Sequence, residues 1–485
     1  MLSRPSTPST VSNMNGLQVR TTPVPGLLEI DLPVHRDARG WFKENWQRAK
    51  MGSVGLPDFD PVQHSVAYNT ATGTTRGVHA EPWDKLVSIA SGRAFGAWVD
   101  LRQGENFGAV HTVELNPDTA VFVPRGVGNA YQTLTDHTVY SYLVNAHWSP
   151  DASYTHLNLA DSQLYERWPI PLTRAIISDK DRTHPHLGEV TPVPPPTTLI
   201  LGANGQVGRA IQAVLPQARA VPREELDLAD PDQMTEFDFT GVDTLINAAA
   251  FTSVDAAESR QGRAEAWAIN AEGVARLARA AAEHRFTLVH YSTDYVFDGC
   301  GGSGPDRSYR ESDPISPVSA YGQSKAAGEI AVEHLPRHFL IRTSWVVGQG
   351  RNFVTTMRSL ARRGDNPSVV ADQRGRLTFA HDLAAATAHL LHNGAAPGTY
   401  HVTNSGDPAS WAQIARIIFE HHGREPDDVT PVTTAQYARQ NNPQQAPRPA
   451  HSVLDLSKLQ TAGHTMPDHR HALIDYLDRP VEQDR

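Results

Sequence analysis

The chain has 485 residues, which at roughly 100 to 200 residues per domain predicts two to four folded units. Charged residues at 20% and hydrophobic residues at 39% are ordinary for a folded protein and exclude a collagen-like or disordered chain. Forty-three Lys and Arg against 53 Asp and Glu leave a net charge of −10, which disfavours general nucleic-acid or anionic-membrane binding; one cysteine, Cys300, allows neither an internal disulfide nor a cysteine metal cage. Residues 1–18, rich in Ser, Thr and Pro at their start, are expected to form a flexible tail without the apolar core of a signal peptide. No stretch reaches the roughly 18 apolar residues of a membrane span. The expected address is the cytoplasm, with no membrane or nucleic-acid partner.

Residues 19–180 read as short strands between turn residues. KLVSIASG, RAFGAWVDL, AVFVPRG and TVYSYLVNA are rich in Val, Phe, Trp and Tyr, with Gly and Pro between them, the pattern of an all-β barrel or jelly roll. Residues 181–197 contain four prolines between Pro192 and Pro196, which fix φ and remove backbone donors, so this segment is expected to be an extended linker. From residue 198 to 485 the pattern changes. Short apolar runs (TLILGA, DTLINAAA, FTLVHYST, HFLIRTS) alternate with Ala-rich amphipathic segments such as AEAWAINAEGVARLARAAAEH, the signature of a parallel sheet with helices on both faces.

In this second half the strand TLIL runs into GANGQVG and a helix starting near Gln206. Gly202, Gly205 and Gly208 would let the backbone turn tightly and approach a pyrophosphate, whose charge a helix N-terminus stabilises. Tyr321 and Lys325 in AYGQSKAAGE stand four residues apart, on one face of a helix. An ammonium beside a phenol favours the phenolate and makes the tyrosine a usable proton donor to a carbonyl. STDYVF puts Thr293 at the carboxyl edge of the sheet, where doubly wound folds bind ligands.

The glycine triplet, NAAAFTSVDAAE, HYSTDYVFDG, YGQSKAAGE, RTSWVVG and APRPAHSVLD occur in this order. Together they resemble the extended short-chain dehydrogenase/reductase family and, more narrowly, its dTDP-4-dehydrorhamnose reductases, over about 197 to 480. The resemblance implies a Rossmann-type doubly wound sheet with a small C-terminal substrate-binding lobe. It also implies reduction of the C4 ketone of a dTDP-linked 6-deoxyhexose by NADPH or NADH. Tyr321 would donate the proton, Lys325 would tune it and Thr293 would hold the oxygen. Gly202, Asn204, Gly205, Gln206, Val207, Gly208, Ala248, Ala249 and Ala250 would bind the cofactor, with Tyr321 and Lys325. Asp294, Trp345 and Arg448 would contact substrate. ARAVPREEL shows no clear acidic ribose ligand, and Arg223 could meet a 2′-phosphate, which favours NADPH. A magnesium ion at this domain is a further candidate. Leu377 stands where family members usually carry proline, which puts the local loop shape in question.

In the first half, RDARGWFKENW, TRGVHAEPWDKLV, YSYLV and LADSQLYERWP resemble the dTDP-4-dehydrorhamnose 3,5-epimerases across residues 19 to about 175, which implies a cupin-like jelly-roll barrel. By that resemblance His79, oriented by Asp161, is the base, Lys85 stabilises the enolate oxygen and Tyr142 reprotonates from the opposite face. Arg39, Phe42, Glu44 and Arg76 would hold the dTDP-sugar, the arginines through the anionic nucleotide. Cupins often bind metal, but that needs clustered histidines and carboxylates. The sequence offers His79 and Glu81, with Asn129 where a second-motif histidine would stand, so no metal is expected. Asn129, Ala80 and Glu81 depart from the epimerase pattern and bear on which carbon is epimerised.

The expected function is bifunctional: 3,5-epimerisation of dTDP-4-dehydro-6-deoxy-D-glucose, then ketone reduction to dTDP-L-rhamnose, in a homodimer paired through the barrel. Two alternatives stay open. The product is another dTDP-deoxysugar, or one half is a non-catalytic nucleotide-sugar-binding module.

Overall fold

A computed structural model describes residues 10–14, 16–57, 59–148, 152–441 and 445–479. It divides into two compact units, Met1–Pro195 and Pro196–Arg485. Part of the expected N-terminal tail, residues 1–9 and 15, lies outside the described residues. The rest of it is not a tail, because Thr10–Met14 forms a strand paired antiparallel to Leu17–Thr21.

The first unit is built on two antiparallel sheets. Lys85–Ser91, Thr119–Val123 and Thr138–Val144 lie within a seven-stranded sheet, and Thr75–Ala80, Ala94–Asp100 and Val127–Thr133 within a five-stranded one. Strands rich in β-branched and aromatic residues suit this arrangement, because alternate side chains can fill the space between the sheets. Trp98, Tyr131 and Tyr140 pack there with Val87, Ile89 and Val121.

The expected linker is much shorter than 181–197. Asp179–Arg182 forms a helical turn capped by Ser178, Leu187–Glu189 a second turn, and Val193 bridges to Arg102. Leu187 and Val190 join the apolar cluster around Trp168. The prolines at 192 and beyond do rule out regular structure, but the ten residues before them carry enough apolar and capping side chains to dock on the barrel.

The second unit is a six-stranded parallel sheet. Its strand order is Arg219–Val221, Thr197–Leu201, Val242–Asn247, Thr287–Thr293, His338–Thr343, Gly398–His401. Near-continuous apolar runs form these strands because helices cover both faces. A smaller lobe has its own core, in which Phe379, Ile418 and Phe419 are fully buried. Leu377, the departure from the family's proline, is buried there too and packs as an ordinary core residue. Among the described residues no helix is long and apolar enough to cross a membrane.

The helix Ala320–Glu333 begins at Ser319, whose side chain accepts from the Gly322 amide. It is fixed to the sheet by a buried ion pair: Arg342 donates to both oxygens of Glu329, Nη2 to Oε2 at 2.7 Å and Nε to Oε1 at 3.1 Å, with side-chain exposures of 3% and 0%. Removing one partner of such a pair leaves a buried charge. Glu329→Ala should therefore lower the opening free energy of this helix by about 3 to 5 kcal/mol, read as lost hydrogen-exchange protection of its amides. Unchanged protection would show that the pair does not anchor the helix.

Candidate active sites

In the barrel, His79 lies on the strand Thr75–Ala80, in register with Asn129 on one neighbouring strand and His156 on the other. Its Nε2 is 3.0 Å from Asp181 Oδ1. Burial pushes the Asp181 carboxyl up, but hydrogen bonds from His79, Ser178 and the Gly77 amide outweigh this and hold it below its ordinary value. The carboxylate expected here was Asp161. Asp161 instead accepts from the backbone amides of Gln163 (3.0 Å) and Leu187 (2.8 Å) and lies 3.4 Å from His186 Nδ1. Its short side chain serves the turn it belongs to, as aspartates after a strand commonly do.

Lys85 comes from the other sheet. It is buried, donates to Glu81 at 2.7 Å and stands 4.5 Å from the centre of the Tyr142 ring. Glu81 also accepts from Trp83 Nε1 at 2.8 Å. The departure at Glu81 thus supplies the counter-charge that a buried ammonium requires. Burial raises the Tyr142 hydroxyl above the usual phenol value, and the Ser65 hydroxyl draws it partly back. The Tyr140 hydroxyl donates to Asn129 Oδ1 at 2.9 Å, so the asparagine opposite His79 bridges the two sheets.

The remaining candidates of this half have partners of their own. Arg76 is exposed, with Nε 3.2 Å from Asn69 Oδ1. Arg39 is 90% exposed and pairs with Asp37 in the hairpin of Val34–Asp37 and Gly40–Lys43. Phe42 is 68% exposed in the same hairpin, and Glu44 accepts from Lys50 at 2.9 Å. The residues that sequence reasoning missed are Asp181, His156 and His184. All three lie near the edge of the barrel or in the expected linker, where no motif marks them.

In the second unit a cavity of about 560 Å³ opens at the carboxyl ends of the first strands. Gly202, Asn204, Gly205, Ala248, Ala249 and Ala250 line it. Gly202 has φ +70°, and a Cβ there would lie 2.6 Å from the Ala249 amide. A Cβ on Gly208 would stand 2.2 Å from the Gly202 carbonyl oxygen, so the turn and the helix Gln206–Val214 can meet only through glycine. Gln206 is turned to the Gly348 amide, and Val207 packs into the core, so these two shape the loop from behind. The rim carries Arg223, paired with Asp227 at 2.9 Å. Asp227 is the acid that sequence reasoning did not find, because it lies 25 positions past Gly202 (227 − 202), beyond the ARAVPREEL stretch. This cradle of backbone and small side chains fits a dinucleotide pyrophosphate.

Beside it, Thr293, Asp294, Tyr321 and Lys325 are all buried. The Lys325 ammonium donates to the Tyr291 carbonyl at 2.6 Å and lies 3.3 Å from His290 Nε2. Burial lowers it to about 8. Tyr321 is pushed well above the usual phenol value, first by burial and then by Asp294 and Tyr295, while the Thr293 hydroxyl draws it down. The hydroxyl's immediate partner in this structure is Thr293. Asp294 is pushed up to about 6 by burial, and its Oδ2 is buried without a hydrogen bond.

Arg448 grips Asp255 with Nη2 at 2.9 and 3.0 Å from the two carboxylate oxygens. It also touches Tyr295, whose ring meets that of Tyr321 edge-on at 5.6 Å. Its Nη1 is buried without a partner. Trp345 is stacked on Trp411 at 3.7 Å within the lobe. Among the described residues, the one cluster of three or more His, Cys, Asp or Glu side chains close enough to hold a metal ion lies in the barrel.

Residues 21–189 match the dTDP-4-dehydrorhamnose 3,5-epimerase family and residues 197–481 the RmlD substrate binding domain family. An RmlC homolog of Streptococcus pyogenes is 45% identical over 179 residues, 36% of this chain and 90% of that protein. The dTDP-4-dehydrorhamnose reductase of Mycobacterium tuberculosis is 39% identical over 291 residues, 58% of this chain and 93% of that protein. The structure of the Bacillus anthracis dTDP-4-dehydrorhamnose reductase in complex with NADP superposes with a TM-score of 0.52 at 34% identity, covering 58% of this chain and 98% of that one. With two site geometries and two family matches falling on the same two stretches of sequence, the chain belongs to the RmlD family through its second unit and is a fusion of that reductase with a dTDP-4-dehydrorhamnose 3,5-epimerase.

Proposed function

We propose that this chain converts dTDP-4-dehydro-6-deoxy-D-glucose to dTDP-L-rhamnose, epimerising C3 and C5 in the barrel and reducing the C4 ketone in the second unit. The observation that carries this reading is the tandem of the two families on one chain, since the epimerised ketone is the reductase's substrate.

In the barrel, the protons on C3 and C5 flank a ketone, so loss of either leaves an enolate. His79 takes the proton, with Asp181 holding the ring and stabilising the imidazolium that forms. Lys85 faces the enolate oxygen, its charge balanced by Glu81 until substrate arrives. Tyr142, on the sheet opposite His79, returns a proton from the other side.

In the second unit NADPH, when bound, supplies the hydride. The glycine turn at Gly202 and Gly208 would seat its pyrophosphate, and Arg223, paired with Asp227 in this structure, would meet the 2′-phosphate. Tyr321 gives its proton to the C4 oxygen, with Thr293 hydrogen-bonding both the tyrosine and that oxygen. Arg448 and Asp294 face the sugar with the polar atoms they leave unpaired, Nη1 and Oδ2.

Given substrate and NADPH, the protein should consume cofactor and yield dTDP-L-rhamnose by NMR; no oxidation of NADPH or NADH would sink the proposal, and a different isomer would redirect it to another deoxysugar. In D₂O without cofactor, His79→Ala should abolish deuterium uptake into substrate and Asp181→Asn should slow it by about 100-fold or more. Asp161→Asn and Tyr321→Phe should leave it intact. Loss of exchange in Tyr321→Phe would refute two independent sites.

The upward shift of the Asp294 pKa has a defined sign. Its folded value, about 6, lies above the unfolded value, so its stabilising contribution is present below about pH 4 and is lost as pH rises through about 6. Relative to wild type, Asp294→Asn should gain roughly 2 kcal/mol on going from pH 4 to pH 7 in urea unfolding of the second unit. Parallel stability curves would show that the carboxyl is ionised as in water.

Pairing of two barrels is also part of this reading. The edge strand Gln63–Asn69 of the seven-stranded sheet exposes Val66 (59%) and Tyr68 (56%), an apolar edge that a second copy would cover. Sedimentation should give a dimer that Val66→Lys with Tyr68→Lys splits; a monomeric wild type at micromolar concentration would refute it.

A further inference from the structure

The reading of His79 as a base accounts for one histidine, yet the barrel gathers three. His79, His156 and His184 offer ring nitrogens that all lie within 4.8 Å of one another. His156 is paired across the strands with His79, their ring centres 5.3 Å apart, and the His184 ring lies 4.5 Å from His156 and 5.4 Å from His79. Packing three imidazoles so closely is unfavourable if any two are charged. Burial, and then the other histidines, push His156 down to about 4, and burial lowers His184 as well.

His184 is the second, independent observation. It is 8% exposed, and neither ring nitrogen makes a hydrogen bond. Its Nε2 stops 4.0 Å short of Asp181 Oδ1, and the ring otherwise faces the Leu157 backbone. A buried imidazole with both nitrogens unsatisfied is costly unless something else takes up a lone pair. Three imidazoles with a carboxylate on one of them is the donor set that divalent zinc takes, and oxygen-preferring magnesium or calcium do not.

We propose that His79, His156 and His184 form a three-histidine zinc site, in which the ion occupies the lone pair that His79 otherwise uses to take a proton, so that zinc reversibly silences the epimerase half. The site must contract for this, since nitrogens around a tetrahedral zinc stand about 3.3 Å apart. The means are at hand: His79 is one-third exposed, and His156 sits on a two-residue edge strand held on one side only. Asp181, 3.0 Å from His79, then orients a metal ligand as it orients a base.

The binding claim stands on the histidine geometry alone, whereas the silencing rests on the function proposed above, so the test separates them. The full chain, without a histidine tag and stripped with EDTA, is titrated with zinc, cobalt(II) and magnesium by calorimetry and, for cobalt, by its visible absorption. One zinc per chain should bind, cobalt should give the intense spectrum of a tetrahedral site, and magnesium should not compete. His156→Ala and, as a second variant that keeps an aromatic ring, His156→Phe should each weaken zinc by on the order of 100-fold or more, with cofactor oxidation on pre-epimerised ketone unchanged. Stoichiometric zinc should stop deuterium uptake, and EDTA should restore it. Absence of zinc binding by the wild type, or equal binding by the His156 variants, would overturn the site. Zinc that binds through these residues but leaves deuterium uptake untouched would instead overturn His79 as the base.

Discussion

Glu329 and Arg342 meet below the surface of the second unit, and the position of the reductase site follows from that pair. A carboxylate and a guanidinium without water contact must find each other at full hydrogen-bonding geometry or cost several kcal/mol each. Arg342 lies on the strand His338–Thr343, next to the strand that ends in Thr293. Glu329 lies one helical turn beyond Lys325 and two beyond Tyr321. The pair thus fixes both the rotation and the axial position of the helix relative to Thr293. Close backbone approaches at Gly322 and Gly328, where a Cβ would come within 2.3 Å of the Tyr295 carbonyl oxygen and 2.2 Å of the Asn270 carbonyl oxygen, leave the helix no room to slide. Three side chains from two elements converge because one ion pair and two glycines permit a single seating.

That convergence was legible in the amino-acid sequence, and its physical reason is locality. Tyr321 and Lys325 are related by helical periodicity, Gly202 to Gly208 by one turn, and Thr293 by its place at the end of an apolar run. Each relation spans fewer than ten residues. Asp227 escaped because it enters the cavity from a loop with no periodicity of its own. The field around Tyr321 escaped for a different reason: i, i+4 spacing says that Lys325 shares a face with it, but not that the ammonium is spent on the Tyr291 carbonyl.

The barrel shows the complementary limit. His79 and Asp181 stand 102 positions apart, and what joins them is the docking of a segment rich in proline, histidine and charge, composition that reads as a spacer. Composition reports only the average tendency of a segment. Here Ser178 as a cap and Leu187 and Val190 as apolar anchors override it, so that the last turns before the prolines complete the site. Asp161 was the natural choice from its motif, yet a side chain that already closes two backbone hydrogen bonds has little left to offer an imidazole.

The two sites share one electrostatic strategy. Burial moves His156, His184, Lys325, Asp294 and Tyr321 each toward its neutral form. A pocket lined by neutral but titratable groups can accept a dianionic nucleotide sugar without first expelling charge of its own, and it can then respond to the charge that the reaction develops. In a chain of net charge −10 this matters, because the general field repels the ligand and recognition falls to local arginines and backbone amides. The same neutrality has a cost in the barrel. Imidazoles gathered around a proton transfer are also electron-pair donors, so clustering them makes a site for a divalent cation such as zinc. Only the one-third exposure of His79 lets either a carbon acid or a metal ion reach it, and the two compete for the same lone pair.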